Sequence, residues 1–175
     1  MQENGFKSVL AAGIRKNEQE TGERGEEITW ESSSIRKWLN EDFMTEVFNE
    51  QEQAKIAVTQ VKAEKNPDYD TNPGNDTEDK VFLPGIGDVC NTYFDSNEER
   101  ICGATDYAIA KGVVTYEKYM DDDYVAGVWW LRTPGAKVHT FADVVYDGYV
   151  IKDGVGVLLP NLGVRPMMWI SYTFS

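Results

Sequence analysis

Histidine and cysteine, which supply the general base or the thiol nucleophile in many forms of covalent catalysis, are scarce in this sequence. The 175 residues include one histidine, His139, and two cysteines, Cys90 and Cys102. A nucleophilic triad would have to use His139, and no neighbouring residue suggests a positioned nucleophile or an orienting acid, so we interpret His139 as exposed and non-catalytic. Neither cysteine belongs to a CxxC pair, which excludes a zinc ribbon and a thioredoxin-type site. The pattern leaves open whether the cysteines form a disulfide or stay free thiols.

An acidic stretch between residues 66 and 79 has part of the spacing of a calcium-binding loop. Pro73 stands where an EF-hand requires glycine. We therefore interpret the stretch as an ordinary loop, and the three consecutive aspartates 121–123 as a solvated turn. No metal and no cofactor are expected. The side chains that fall at the spacing of a calcium-binding loop are Asp68, Asp70, Asn72 and Asp79.

Two segments near the C-terminus combine bulky apolar residues with one arginine each. They are residues 129–132 (WWLR) and residues 163–170 (GVRPMMWI). A buried guanidinium must be paired and fully hydrogen-bonded, so these arginines are expected to hold the fold together rather than bind ligand. The residues assigned structural roles are Trp129, Trp130, Arg132, Arg165 and Trp169.

The elements in the first two thirds of the chain are mainly helical by pattern. Apolar residues recur at three- and four-residue spacing from Ile35 to Phe48, which predicts an amphipathic helix capped by one of the serines 32–34 and broken at 40–42. Residues 88–94 and 104–112 each suit a helix, the second ending at a left-handed Gly112. Residues 80–83 suit a short strand.

The last third of the chain has the pattern of an antiparallel sheet. From Val125 onward, short apolar runs are separated by Pro134-Gly135, Asp147-Gly148 and Asp153-Gly154, which are hairpin signals. Helices followed by strands predict an α+β domain over residues 28–175. Residues 1–27 are expected to form a polar N-terminal arm or an incomplete leading segment, in which Phe6 to Ile14 suits a strand or a helix.

The charge excludes two classes of partner. With 30 acidic and 17 basic residues the formal net charge is −13, so the surface repels phosphate backbones and anionic membranes. No apolar run approaches the ~20 residues that a membrane helix needs. We expect no nucleic-acid binding and no direct membrane insertion.

Seven segments match, in order, the motifs of an uncharacterised bacterial domain family typically written ITWE-S-LRKWLN, DKVFLLS, WWLRSPG and GVRPALWI. The resemblance covers roughly residues 28–170, and it departs at Pro84-Gly85, after KVFL. The matching segments are ITWESSSIRKWLN (28–40), NDTEDKVFL (75–83), YF (93–94), ATDYAIAKG (104–112), WWLRTPG (129–135), DG (147–148) and GVRPMMWI (163–170).

The resemblance implies a C-type-lectin-like fold. Relatives of that family include formylglycine-generating enzymes and the variable proteins of diversity-generating retroelements. The catalytic cysteine pair of the enzymes and the calcium-dependent sugar motifs of animal lectins have no match here. The function that the resemblance still implies is ligand binding by a rigid scaffold, as in the variable proteins.

The composition of residues 136–162 fits diversification of that kind. Adenine-directed variation of AAC or AAT codons cannot produce Lys, Glu, Gln, Met or Trp. These five types make up 42 of the 175 residues, but residues 136–162 contain only Lys137 and Lys152. The depletion also fits any strand-rich region, because Glu, Gln and Lys are poor strand formers.

Strand alternation then predicts which side chains form a protein-binding surface. Matching the family's small-x-Val pattern places Ala142, Val144, Val150 and Val157 inside. The chain is thus expected to be a non-catalytic, protein-binding domain with a variable surface in 136–162, located at the cell surface or secreted if a signal or anchor was removed. The alternatives are a relative of formylglycine-generating enzymes and a structural module of a cell-envelope protein. The outward, ligand-binding set is His139, Phe141, Asp143, Val145, Tyr149, Ile151, Lys152, Val155, Leu158 and Pro160.

Overall fold

The computed structural model describes residues 27–121, 124–137 and 139–171. All of the expected N-terminal arm except Glu27 lies outside the described residues. The elements are, in order, α1 (Ser34–Asn40), α2 (Asp42–Val47), α3 (Glu50–Gln53), β1 (Thr59–Val61), β2 (Thr77–Asp79), a π-helical turn (Asp88–Thr92), α4 (Asn97–Arg100), α5 (Asp106–Ala110), β3 (Thr115–Asp121), β4 (Tyr124–Gly127), β5 (Trp129–Pro134), β6 (Thr140–Val144) and β7 (Val150–Gly156).

The first helical pair forms as its sequence predicts. The Ser33 side chain caps α1 by accepting a hydrogen bond from the Arg36 N–H at 3.3 Å. Glu41, with φ −113° and ψ −84°, separates α1 from α2. Leu39 and Phe43 are buried on the inner side of the pair. The serine cap and the break at residues 40–42 are therefore confirmed.

The strand expected at residues 80–83 does not form, and the nearest strand is β2 (Thr77–Asp79). β2 ends at Asp79 and pairs antiparallel with β1. The backbone N–H groups of Lys80 and Val81 instead donate to the side-chain oxygen of Asn40, at 2.8 and 3.1 Å. Because a helix side chain takes these donors, the expected strand is reduced to a single bridge between Phe82 and Met167.

The middle of the chain is helical but irregular. The segment expected as a helix over 88–94 is a π-helical turn. α5 is capped by Thr105 and is followed by Gly112 at φ +84°, which confirms the predicted left-handed termination. The β3–β4 hairpin that follows was not predicted from the sequence.

The last third contains a three-stranded antiparallel sheet in the order β5-β6-β7, so the α+β class is confirmed. Trp129, Leu131, Ala142 and Val144 belong to a core cluster with Val89 and Ala108. Trp130 and Phe141 belong to a second cluster with Leu39 and Leu83. The sheet is therefore buried on both faces, and it separates α1 and α2 from the segment 86–113.

Two Asp-Gly pairs behave differently in this sheet. Asp147-Gly148 lies in the turn between β6 and β7, with Gly148 at φ +80°, as predicted. Asp153-Gly154 lies inside β7, where the register with β6 shifts. Gly154 at φ +67° thus forms a bulge rather than the expected hairpin turn. In the part of the chain that the structure describes, no helix is long and apolar enough to cross a membrane.

Candidate functional site

One end of the β6–β7 hairpin carries exposed leucines. Leu158 is 74% exposed and Leu159 is 45% exposed, and both lie in the turn that follows β7. The Val157 N–H donates to the His139 carbonyl at 2.9 Å, which places exposed His139 beside this turn. We call His139 and residues 158–160 the leucine end.

The other end of the hairpin carries tyrosines. The turn at residues 145–149 contains Tyr149, which is 59% exposed. In the same turn, the Tyr146 ring lies against that of Tyr116 in β3, with ring centroids 3.7 Å apart. The Gly148 N–H donates to the Val145 carbonyl at 2.8 Å and fixes the turn. We call Tyr116, Tyr146 and Tyr149 the tyrosine end.

The residues expected to form one surface are divided between these two ends. β7 has seven residues, so it separates the ends by roughly 20 Å at the usual rise per residue of a strand. His139, Tyr149, Leu158 and Pro160 are exposed. The four half-buried members are Val145, Ile151, Lys152 and Val155.

The expected outward orientation of Phe141 and Asp143 is wrong. Both are buried in β6, the middle strand of the sheet. Phe141 packs in the cluster that contains Trp130 and Val157. Because helices and loops cover both faces of the sheet, alternation cannot distinguish an inner face from an outer one. Ala142, Val144 and Val157 are buried as expected, and Val150 is half-buried.

Residues 66–71, which we call the strap, bind the three-stranded sheet at β7 and at the end of β5. The Asn66 side-chain amide donates to the carbonyls of Pro134 and Lys152, at 2.8 and 2.7 Å. The Thr71 hydroxyl donates to the Gly135 carbonyl at 2.8 Å. The Lys152 ammonium pairs with Asp68 at 2.9 Å. The strap therefore connects β7 with the end of β5.

The acidic residues of segment 66–79 do not converge on one point. Asp68 pairs with Lys152 and Asp70 with Lys65, whereas buried Asp79 accepts hydrogen bonds from Trp30 and Thr77. Among the described residues no group of three or more His, Cys, Asp or Glu side chains could hold a metal ion.

Arg132 is the centre of a buried polar network, although its Nε has no hydrogen-bond partner. It is 8% exposed, and its Nη1 donates to the Leu83 carbonyl at 2.9 Å and to Asp88 Oδ2. The same Asp88 oxygen accepts from the Gly85 N–H at 2.8 Å. The guanidinium thus fixes both ends of the segment 83–88.

Glu64, which no sequence pattern indicates, binds the middle of the same segment. Its carboxylate accepts from the Gly87 N–H at 2.6 Å and from the Thr133 hydroxyl at 3.0 Å. Thr133 in turn accepts from the Ile86 N–H at 2.9 Å. Glu64 lies far from Thr133 in sequence, and no local pattern indicates their contact.

Arg165 and Trp129 form a second buried contact. The Arg165 guanidinium lies 4.9 Å from the centre of the Trp129 ring and 4.6 Å from that of Phe94. Burial lowers the pKa of Arg165. A cation between two aromatic faces is stabilised by both rings. Trp169, also assigned a structural role, is 40% exposed and lies against Tyr93, with ring centroids 6.3 Å apart.

Both cysteines are free thiols, which resolves the alternative that the sequence left open. Cys102 is buried, and burial raises the pKa of its thiol. A raised pKa leaves little thiolate, the reactive form, at neutral pH. Cys90 is half-buried and packs against the core cluster that contains Cys102.

Asp143 is the most unusual ionisable group of the sheet. It is 2% exposed, and its Oδ1 accepts no hydrogen bond. Burial and, to a smaller extent, the charge of Asp153 raise the pKa of this carboxyl to about 7. A buried, unsatisfied carboxyl is costly when ionised, and such groups often mark functional positions.

Comparison with known proteins places the chain in a family. No curated protein and no solved structure matches it. The expected relationships to C-type-lectin-like proteins, to retroelement variable proteins and to formylglycine-generating enzymes stay predictions. A family model described as a domain of unknown function, DUF6273, matches residues 4–172, including most of the expected N-terminal arm. The match covers nearly the whole chain, so the protein belongs to the DUF6273 family.

Proposed function

We propose that this protein is a non-catalytic recognition domain that binds a protein partner through the exposed ends of the β6–β7 hairpin. The observation that carries the proposal is the exposure of Leu158 and Tyr149 on turns that the backbone holds in place. Exposed apolar side chains grouped on a fixed turn are typical of interaction sites. We further propose that the scaffold is C-type-lectin-like and that residues 136–162 are the diversified segment.

Backbone hydrogen bonds support both ends. At the leucine end, the Leu159 N–H donates to Gly156 at 3.0 Å, and the Asn161 carbonyl accepts from Val114 at 2.7 Å. At the tyrosine end, the Val145 N–H donates to Tyr149 at 3.0 Å. Residues that are already ordered lose little conformational entropy on binding, which favours affinity.

The net charge indicates the kind of partner. A domain with a formal charge of −13 attracts basic proteins and repels acidic ones. An apolar centre at the leucine end, on a domain of net negative charge, would suit a partner with an apolar pocket and a basic rim. The half-buried Lys152 is paired with Asp68, so it is not the main source of specificity on this proposal.

We expect Leu158→Ser and Tyr149→Ala to weaken partner binding while the protein stays folded. Removing a central apolar or aromatic contact from an interface costs about 2 kcal/mol, which is roughly a 30-fold loss of affinity. The measurement is retention of proteins from the source's extracellular and surface fraction by immobilised wild type, followed by titration of each identified protein. Circular dichroism verifies folding.

Val58→Ser is the matched control, because Val58 is 63% exposed but precedes β1 rather than the hairpin. It should leave affinity unchanged. A partner whose affinity falls with Val58→Ser, but with neither hairpin variant, would contradict the proposed surface.

The proposal that residues 136–162 are diversified is tested by sequencing the gene across a population of its source. Variation concentrated at adenine-bearing codons within 136–162 supports it, and variation spread evenly along the chain contradicts it.

A further inference from the structure

Asp143 occupies a position where a carboxylate is poorly accommodated. It lies in β6, the central strand, opposite Trp130 of β5 and Ile151 of β7. It is 2% exposed, and no hydrogen-bond donor contacts its Oδ1. A neutral carboxyl tolerates such a site, whereas the ionised form loses its hydration without compensation.

The charged groups on the neighbouring elements do not compensate Asp143. Arg132 on β5 is engaged by Asp88 and by the Leu83 carbonyl. Lys152 on β7 is paired with Asp68 of the strap. Asp153, also on β7, is a like charge and opposes ionisation. The other charged groups near the strap are Glu64, bound to Gly87 and Thr133, and Lys65, paired with Asp70.

The strap joins the strands on either side of Asp143. Asn66 binds the Lys152 carbonyl, and Lys152 directly follows Ile151, the residue paired with Asp143. Asn66 also binds Pro134 at the end of β5. Local separation of β7 from β6 therefore requires the strap bond to Lys152 to break.

We propose that Asp143 is a pH-sensitive switch: it is neutral in the closed sheet, and its ionisation drives local separation of β7 from β6 with release of the strap. The open form exposes the carboxylate to water, where ionisation is favourable. The proposal concerns the sheet itself and does not depend on the proposed recognition function.

The sign of the pH dependence follows from the two forms of Asp143. In the closed sheet the pKa of the carboxyl is raised from 3.8 to about 7. In the open form it returns to the ordinary value near 4. Below pH 4 the carboxyl is neutral in both forms, and the closed form has its full stability. Between pH 4 and about 7 the closed form loses stability relative to the open form, because only the open form releases the proton readily. The opening equilibrium should increase about tenfold per pH unit in this window and level off above it.

Hydrogen exchange of the full chain tests the switch between pH 5 and pH 8. After correction for the intrinsic base-catalysed rate, we expect amides of residues 150–153 to exchange about tenfold faster per pH unit up to about pH 7. Asp143→Asn should remove this excess dependence. Asp153→Asn should weaken it, because the like charge is lost. Asp70→Asn, at a side chain 98% exposed, is the control and should behave as wild type.

Two results would overturn the switch. One is corrected exchange in wild type that does not change with pH. The other is an Asp143→Asn protein with the same pH slope as wild type. Because Asp143→Asn also places an amide in the buried site, carboxyl carbon NMR of the wild-type protein provides a test that does not depend on this variant. A titration midpoint near 7 for Asp143 agrees with the switch, and a midpoint below about 5 contradicts it.

Discussion

Replacing Arg132 with methionine is expected to lower the free energy of unfolding by about 3–5 kcal/mol, the range for removing one partner of a buried ion pair. The guanidinium is 8% exposed and bonds both Asp88 and the Leu83 carbonyl. Methionine retains much of the side-chain volume, so the loss reports mainly the missing polar contacts. Urea unfolding followed by tryptophan fluorescence measures it.

Lys152→Met is the matched control for this prediction. It removes a cation of similar length, but one whose pair with Asp68 is partly exposed. Such pairs contribute about 1 kcal/mol or less. Equal losses in the two variants would show that burial of Arg132 adds nothing. Arg132→Lys should also destabilise the protein, because an ammonium cannot reproduce the planar arrangement of guanidinium donors.

Local patterns predicted the local features of the fold. Ser33 caps α1 because a short side-chain oxygen before an apolar repeat can accept a free helix N–H. Gly112 ends α5 because glycine adopts a positive φ without strain. The Asp147-Gly148 turn has the same origin. The hairpin and the two-part helix are therefore determined mainly by residues that are close in sequence.

Features that depend on distant contacts were not predictable in this way. The strand expected over 80–83 gives way because Asn40, forty residues earlier, takes its backbone donors. Asp143 is buried although its type suggests exposure, because the sheet is covered on both faces. The contact of Glu64 with Gly87 and Thr133 likewise joins remote segments. Of the expected recognition residues, the four exposed ones all lie outside the strands: His139, Tyr149, Leu158 and Pro160.

The two turns that carry the proposed recognition residues differ in how they are held. The leucine end is held by backbone hydrogen bonds that join residues 157, 159 and 161 to residues 139, 156 and 114, respectively. The tyrosine end also packs on α4, because the space next to Gly148 is occupied by the backbone of Asn97. A change at Gly148 thus tests whether Tyr149 needs that support.

Gly148→Ala is expected to lower the free energy of unfolding by about 2–4 kcal/mol, combining left-handed backbone strain with overpacking. Gly148 has φ +80°, and an added Cβ would overlap the Asn97 carbonyl, which is backbone and cannot rotate away.

Gly112→Ala is the matched control for Gly148→Ala. Gly112 has φ +84° but nothing within 4 Å of an added Cβ, so its replacement should cost only the strain, about 1–2 kcal/mol. Urea unfolding of both variants measures the difference. Equal losses would mean that the turn moves away from α4 freely. In that case Gly148→Ala should leave the orientation of Tyr149 loosely fixed. Any partner that binds the tyrosine end should then lose affinity, although Gly148→Ala lowers the free energy of unfolding no more than Gly112→Ala does.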